Sequence, residues 1–135
     1  MIQDHSEIVI LVVENKAPVR MALVLELHCE GYAVLEAESG EDALIQLDDG
    51  QRVDILITDI QLSGDLTGWD VAEKFRAAWS DILVVYTSHN SVDHARKVSG
   101  SAFFNKPYRT ADISKVCNVL GRAVWTNLRG TATGT

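Results

Sequence analysis

An aspartate that ends a buried strand can do chemistry that the same residue in an open turn cannot. Asp59 follows the apolar run Ile55-Leu56-Ile57 through Thr58. A strand there would hold its carboxylate at the floor of a solvent-facing cleft, where it can attack a phosphoryl group and form an acyl phosphate. The same residue also suits a turn or helix cap, so its company decides. Phosphoryl transfer loads negative charge onto three equatorial oxygens and needs cations around it. Lys106, at the end of Ala102-Phe103-Phe104-Asn105, supplies one. A Mg2+ ion would supply more, given hard oxygen ligands. Glu14, Asp59 and the Gln61 backbone carbonyl offer them, and Asn15 adds an amide oxygen without charge. The Thr87 hydroxyl suits donation to a phosphoryl oxygen. Singly these residues are ordinary: a lysine before proline is commonly a surface loop residue, and threonine is at home in any strand.

What would gather them is the order of elements. Four apolar runs stop on polar residues: Ile8–Val13 at Glu14-Asn15, Ile55–Ile57 at Asp59, Ile82–Tyr86 at Thr87-Ser88, and Ala102–Phe104 at Asn105-Lys106-Pro107. As parallel strands they would end together at one sheet edge, where open α/β sheets place ligands. Strand-like runs alternate with amphipathic stretches, the mark of a parallel sheet covered on both faces. The strands fall near 8–13, 32–35, 53–58, 82–87 and 102–105. Between them, Val19, Leu23 and Leu27 mark one helix face, Ala43, Leu44 and Leu47 a second, and Val71, Ala72, Phe75 and Trp79 a third. Pro18 suits a first helical turn and Gly31 a helix end. Ser39 and Asp42 form a variant capping box. The stretch Asn90–Val98 is polar and weakly periodic, the poorest helical pattern of the five. Ile113, Val116, Cys117, Leu120 and Val124 mark the last helix. The predicted fold is α/β: a flavodoxin-like (βα)5 doubly wound parallel five-stranded sheet, order 2-1-3-4-5.

Composition bounds the rest. The 135 residues are 47% hydrophobic and 23% charged, with a formal net charge of −7, which is ordinary for one globular domain. Twelve scattered basic residues argue against a nucleic-acid surface. Cys29 and Cys117 lie in helical stretches without metal spacing and read as free thiols in or near the core. The first residues lack a signal-peptide pattern, and no apolar run approaches the roughly 20 residues that cross a bilayer. A cytoplasmic protein without membrane contact is expected. The domain is predicted over 7–126, with 127–135, rich in Gly and Thr, as a flexible tail.

Together these phrases resemble the receiver domain of two-component response regulators, the CheY-like superfamily, of the stand-alone type. The likeness runs over about residues 7–126 and rests on Ile10–Asn15, Asp54–Asp59, Val84–Ser88 and Phe103–Tyr108. It implies that Asp59 is the phosphoacceptor, taking its phosphoryl group from a sensor histidine kinase or a histidine phosphotransfer protein. Glu14 and Asn15 fall on the acidic pair that helps hold Mg2+, Thr87 on the switch hydroxyl, Lys106 on the family's lysine and Phe103 on the aromatic switch position. It further implies a cis Lys106–Pro107 bond and a signalling role, not an enzyme's, beyond self-catalysed phosphoryl transfer and dephosphorylation. The partner downstream would be another protein, with the chain a monomer or weak dimer. The contact face would be the helix after the fourth strand, the fifth strand and the last helix.

Two departures stand out. Asn15 replaces a carboxylate, leaving Glu14 and Asp59, which weakens Mg2+ binding, and Lys16 follows it, expected to face solvent. The loop Gln61–Gly68 is long and lacks the usual proline. Gln61 and His89 sit where the family tunes the lifetime of the phosphoryl group, and His89 reads as an exposed loop residue. The alternative reading is a degenerate receiver that binds partners without phosphorylation. A haloacid dehalogenase-type phosphohydrolase would need an Asp where Gln61 stands, and a flavin site would need a phosphate loop after the first strand.

Overall fold

The computed structural model describes residues 7–90 and 92–133, with side chains described as far as Gly121. The β-branched runs form the strands β1 (Val9–Val13), β2 (Ala33–Ala37), β3 (Ile55–Asp59), β4 (Leu83–Ser88) and β5 (Ala102–Asn105). They make one parallel sheet in the order β2-β1-β3-β4-β5. The helices are α1 (Ala17–Cys29), α2 (Gly40–Asp48), α3 (Gly68–Ala78) and α4 (Thr110–Thr133). The flavodoxin-like class and strand order are those predicted.

Alternation along each strand builds two cores. Leu11, Val13, Leu56, Val84 and Tyr86 point to the face covered by Ala43 of α2 and by Trp69, Val71, Ala72 and Phe75 of α3. Ile10, Val12, Ile55, Ile57 and Val85 point to the other, against Leu23 and Leu27 of α1 and Ile113 and Cys117 of α4. Strands buried on both faces have no polar side, which is why β1 and β3 read as continuous apolar runs.

Capping sets where helices start. Proline stands in the first turn of α1 and Ser39 Oγ accepts from Asp42 N at the start of α2. The start of α3 carries a full capping box: Thr67 Oγ1 accepts from Asp70 N, and the Asp70 carboxylate accepts from Thr67 N at 2.8 Å.

Three expectations need correction. Among its described residues the crossover from β4 to β5 forms no α-helix; it contains a 3-10 turn, His94–Arg96, started by Asp93 accepting from Ala95 N. The stretch has no helical apolar stripe, only Val92 and Val98 packed against the α3-side core, and tertiary packing is what stabilises most helices. Second, Cys29 is exposed and only Cys117 is buried, because Cys29 lies two residues past Leu27, off the buried stripe. Third, Trp79 caps α3 at 36% exposure, and Trp69 fills the core instead. The last helix, α4, runs to Thr133; extending a formed helix costs far less than starting one. The side chain of Val124, assigned to the α4 stripe, falls outside the described residues.

Candidate functional site

Strand register puts the chemistry in one row. Val13 pairs with Thr58, so Glu14 follows beside Asp59. Asp59 pairs in turn with Thr87. Ser88 pairs with Asn105, and the Ser88 carbonyl accepts from Lys106 N at 2.8 Å, which fixes the chain where Lys106 leaves the sheet. The Lys106–Pro107 peptide bond is cis, as expected.

The Lys106 ammonium donates to Glu14 Oε1 at 2.5 Å and to Asp59 Oδ2 at 3.0 Å. All three side chains are at most 4% exposed. The second oxygens differ. Glu14 Oε2 accepts from Lys16 N at 3.0 Å, whereas Asp59 Oδ1 receives only a long contact from Gln61 N at 3.4 Å. Asp59 Oδ1 is therefore the less committed oxygen of the pocket. Burial pushes the Asp59 carboxyl above its ordinary value, because a charge taken from water loses solvation, and Lys106 opposes that push.

The remaining predicted residues divide. Thr87 is buried beside Asp59, and its carbonyl accepts from Ile60 N. Phe103 is half-buried, its ring 4.5 Å from that of His94 in the crossover. Asn15 is exposed, and so is Gln61, whose Oε1 accepts from Ser88 Oγ at 2.8 Å. His89 and Lys16 are both exposed, as expected, and they meet each other. The Lys16 ammonium lies 3.2 Å from His89 Nε2. An ammonium has only donors, so the imidazole nitrogen must accept. The reason is topological: Lys16 directly precedes α1, and its long stem reaches sideways along the sheet edge.

Two further residues shape the site. Gly68 donates to the Ile60 carbonyl at 2.9 Å, closing the loop that follows Asp59. A Cβ at Gly68 would come within 2.2 Å of the Asp59 carbonyl oxygen, so only glycine allows the start of α3 to touch this strand end. A turn-rich loop announces a glycine but not this contact. The other is Ser88, whose hydroxyl donates to Gln61 Oε1 and accepts from Asn90 N; the sequence marks it as half of a strand stop but not these contacts. Beside the pocket lies a cleft of about 410 Å³, lined mainly by apolar groups of Pro18, Val19, Ala22, Pro107 and Tyr108.

Receivers generally bind Mg2+ in an acidic pocket, and the donors here meet that ion incompletely. Two carboxylates are present, each with one oxygen on Lys106, and Glu14's other oxygen is held by backbone. Among the described residues no three His, Cys, Asp or Glu side chains converge as a metal group. The set as folded does not fit a divalent ion.

Comparison with known proteins agrees with this architecture. The family model described as the response regulator receiver domain matches residues 10–118. The transcriptional regulatory protein PdtaR of Mycobacterium tuberculosis is 29% identical over 108 residues, covering 77% of this chain and 52% of the relative. The sensor kinase CckA of Brucella abortus is 33% identical over 104 residues, covering 73% of this chain and 11% of the kinase. The chain thus spans about half the length of PdtaR and far less of the kinase. A response regulator receiver protein from Sinorhizobium medicae has a similar structure, with a TM-score of 0.79 at 27% identity, covering 84% of this chain and 93% of that one. The receiver domain of the hybrid histidine kinase CckA gives 0.72 at 28% identity, covering 83% and 97%. With that match over most of its length, and with a buried aspartate and lysine joined at the carboxyl edge of its sheet, this chain belongs to the response regulator receiver domain family of two-component systems.

Proposed function

We propose that the chain is a phosphoacceptor. Asp59 takes a phosphoryl group from a phosphohistidine on a sensor histidine kinase or phosphotransfer protein, and the change switches a protein-contact surface. The observation that carries this reading is the buried Lys106–Asp59 contact at 3.0 Å with Thr87 in register beside it. Lys106 holds Oδ2, so Oδ1 is the attacking oxygen. A new Oδ1–P bond forms while the bond from phosphorus to the donor nitrogen breaks, the imidazole keeping the electron pair. Lys106 and the Thr87 hydroxyl then donate to the phosphoryl oxygens. A donor helix with an apolar face fits the cleft between α1 and Pro107-Tyr108, beside the pocket.

Thr87 and Phe103 form the switch in this reading. Phe103 stands opposite Tyr86 in register, and Tyr86 Oη accepts from Val98 N at 3.1 Å in the crossover. A Thr87 hydroxyl drawn toward phosphate opens space for the Phe103 ring, which then leaves His94. The surface so changed is β5 and the crossover, where the described residues between β4 and β5 form only a 3-10 turn. The test is intact mass after incubation with acetyl phosphate. One added phosphoryl group is expected, and none in Asp59→Ala.

A second reading, docking without phosphorylation, is favoured by Asn15 and by the full engagement of Glu14. In it, a Mg2+ ion on Glu14, Asn15, Asp59 and the Gln61 carbonyl is too weakly held to act, and Asn15→Asp restores both binding and phosphorylation.

A further inference from the structure

The Lys16–His89 contact has a position that neither residue alone reveals. Lys16 leaves the end of β1 and His89 the end of β4, and β3 lies between those strands in the sheet. The contact therefore spans the edge at which β3 delivers Asp59. The Lys16 backbone serves the same site, since its N–H holds Glu14 Oε2 at 3.0 Å. Glu14 and Asp59 bring two negative charges, and Lys106 and Lys16 bring two positive ones.

We propose that Lys16 supplies at this edge the charge that a divalent ion brings to receivers with two acidic residues after β1, so that Asp59 accepts a phosphoryl group without Mg2+. Asn15 in place of a carboxylate and the ammonium next to it together shift the site by two positive charges, the charge of the ion itself. Ammonium groups stabilise anionic oxygens as point charges and need no coordination shell. The pair Asn15-Lys16 is then one adaptation, not a lost ligand beside an incidental lysine. His89 acts as a rest: its acceptor nitrogen holds Lys16 over the edge until phosphoryl oxygens replace it. With acetyl phosphate, Asp59 Oδ1 bonds to phosphorus as the phosphorus–oxygen bond to acetate breaks, and acetate leaves with the electron pair. Lys106, Lys16 and Thr87 meet the three phosphoryl oxygens.

This inference rests on the phosphoacceptor reading, and its test separates the two. The full chain, Lys16→Gln and the double variant Asn15→Asp with Lys16→Gln are each incubated with acetyl phosphate, in EDTA and in Mg2+, and followed by intact mass. The parent is expected to react in EDTA within about threefold of its rate in Mg2+. Lys16→Gln, an exposed change that leaves both cores intact, should lose about tenfold in EDTA, the scale of one partly exposed charge. The double variant should react only with Mg2+. Calorimetric titration with Mg2+ gives a readout apart from activity: saturable binding by the double variant and none by the parent. Reaction of the parent only in Mg2+, or equal rates for parent and Lys16→Gln in EDTA, overturns this inference and leaves the phosphoacceptor reading standing. No reaction by any form under either condition overturns both.

Discussion

Lys106 carries more of this site than Asp59 does. Its ammonium is all that separates two buried carboxylates, Glu14 and Asp59. Removing one partner of a buried pair leaves uncompensated charge and costs about 3–5 kcal/mol. Lys106→Ala should therefore lose that much stability at pH 7 by urea denaturation and recover part of it toward pH 4, where the carboxylates take up protons. The sign for Asp59 runs the other way. Its folded pKa is raised by burial, so its ionised form opposes folding, and the penalty vanishes as pH falls through that raised value. Asp59→Asn should be more stable than the parent at neutral pH, with the gap closing in acid, by urea denaturation. The two thiols differ as sharply. Burial pushes Cys117 up to about 12, while Cys29 is exposed. Iodoacetamide at pH 8 should add one group to the native chain and two in denaturant, read by mass. At this scale the sequence was legible wherever a residue ended a strand: Glu14, Asp59, Thr87 and Lys106 all stand at or next to predicted stops. The contacts of Lys16 with His89, of Ser88 with Gln61 and of Gly68 with Asp59 were not, because each joins residues distant in the chain.

Among the elements, strands were easier to read than crossovers. A doubly buried strand is marked by every residue it contains, so β1, β3 and β4 fell within two residues of their predicted bounds. A crossover is marked only by an apolar stripe, and the one after β4 has none. Its order comes from elsewhere: Arg96 bonds Asp70 at 2.9 Å and Glu73 at 2.8 Å, Arg76 bonds the Ser99 carbonyl at 3.0 Å, and Tyr86 accepts from Val98 N. These partners sit on α3 and β4, out of reach of any local pattern. The close approach of α3 to β3 has its own consequence. Gly68→Ala would press a methyl group onto the Asp59 carbonyl, and overpacking of this kind costs about 1–3 kcal/mol. A lowered melting temperature with impaired phosphorylation is the expected pairing; a variant unchanged in both would contradict the contact.

The molecule as a whole is a sheet with two cores and one working edge, and its family follows from that edge. Among the described residues no helix is long and apolar enough to cross a membrane. The chain spans about half the length of PdtaR, so what such relatives do beyond the receiver is not carried over. Strand order was readable because five βα-like units in sequence leave few right-handed parallel arrangements. The contact face expected from the resemblance took in a helix after β4 together with β5 and the last helix; among the described residues that crossover holds only the 3-10 turn His94–Arg96.

The crossover after β4 is joined to α3 by charged side chains that lie near half-exposed, beside the apolar packing of Val92 and Val98. Charges in that position are screened by salt, whereas apolar contacts are not. Ionic strength should therefore act on this molecule locally. Raising it from about 0.05 M to 0.5 M would speed amide exchange over residues 92–99 while leaving β1 and β3 protected. Salt would then loosen the stretch beside β5 while the strands that carry Glu14 and Asp59 keep their order.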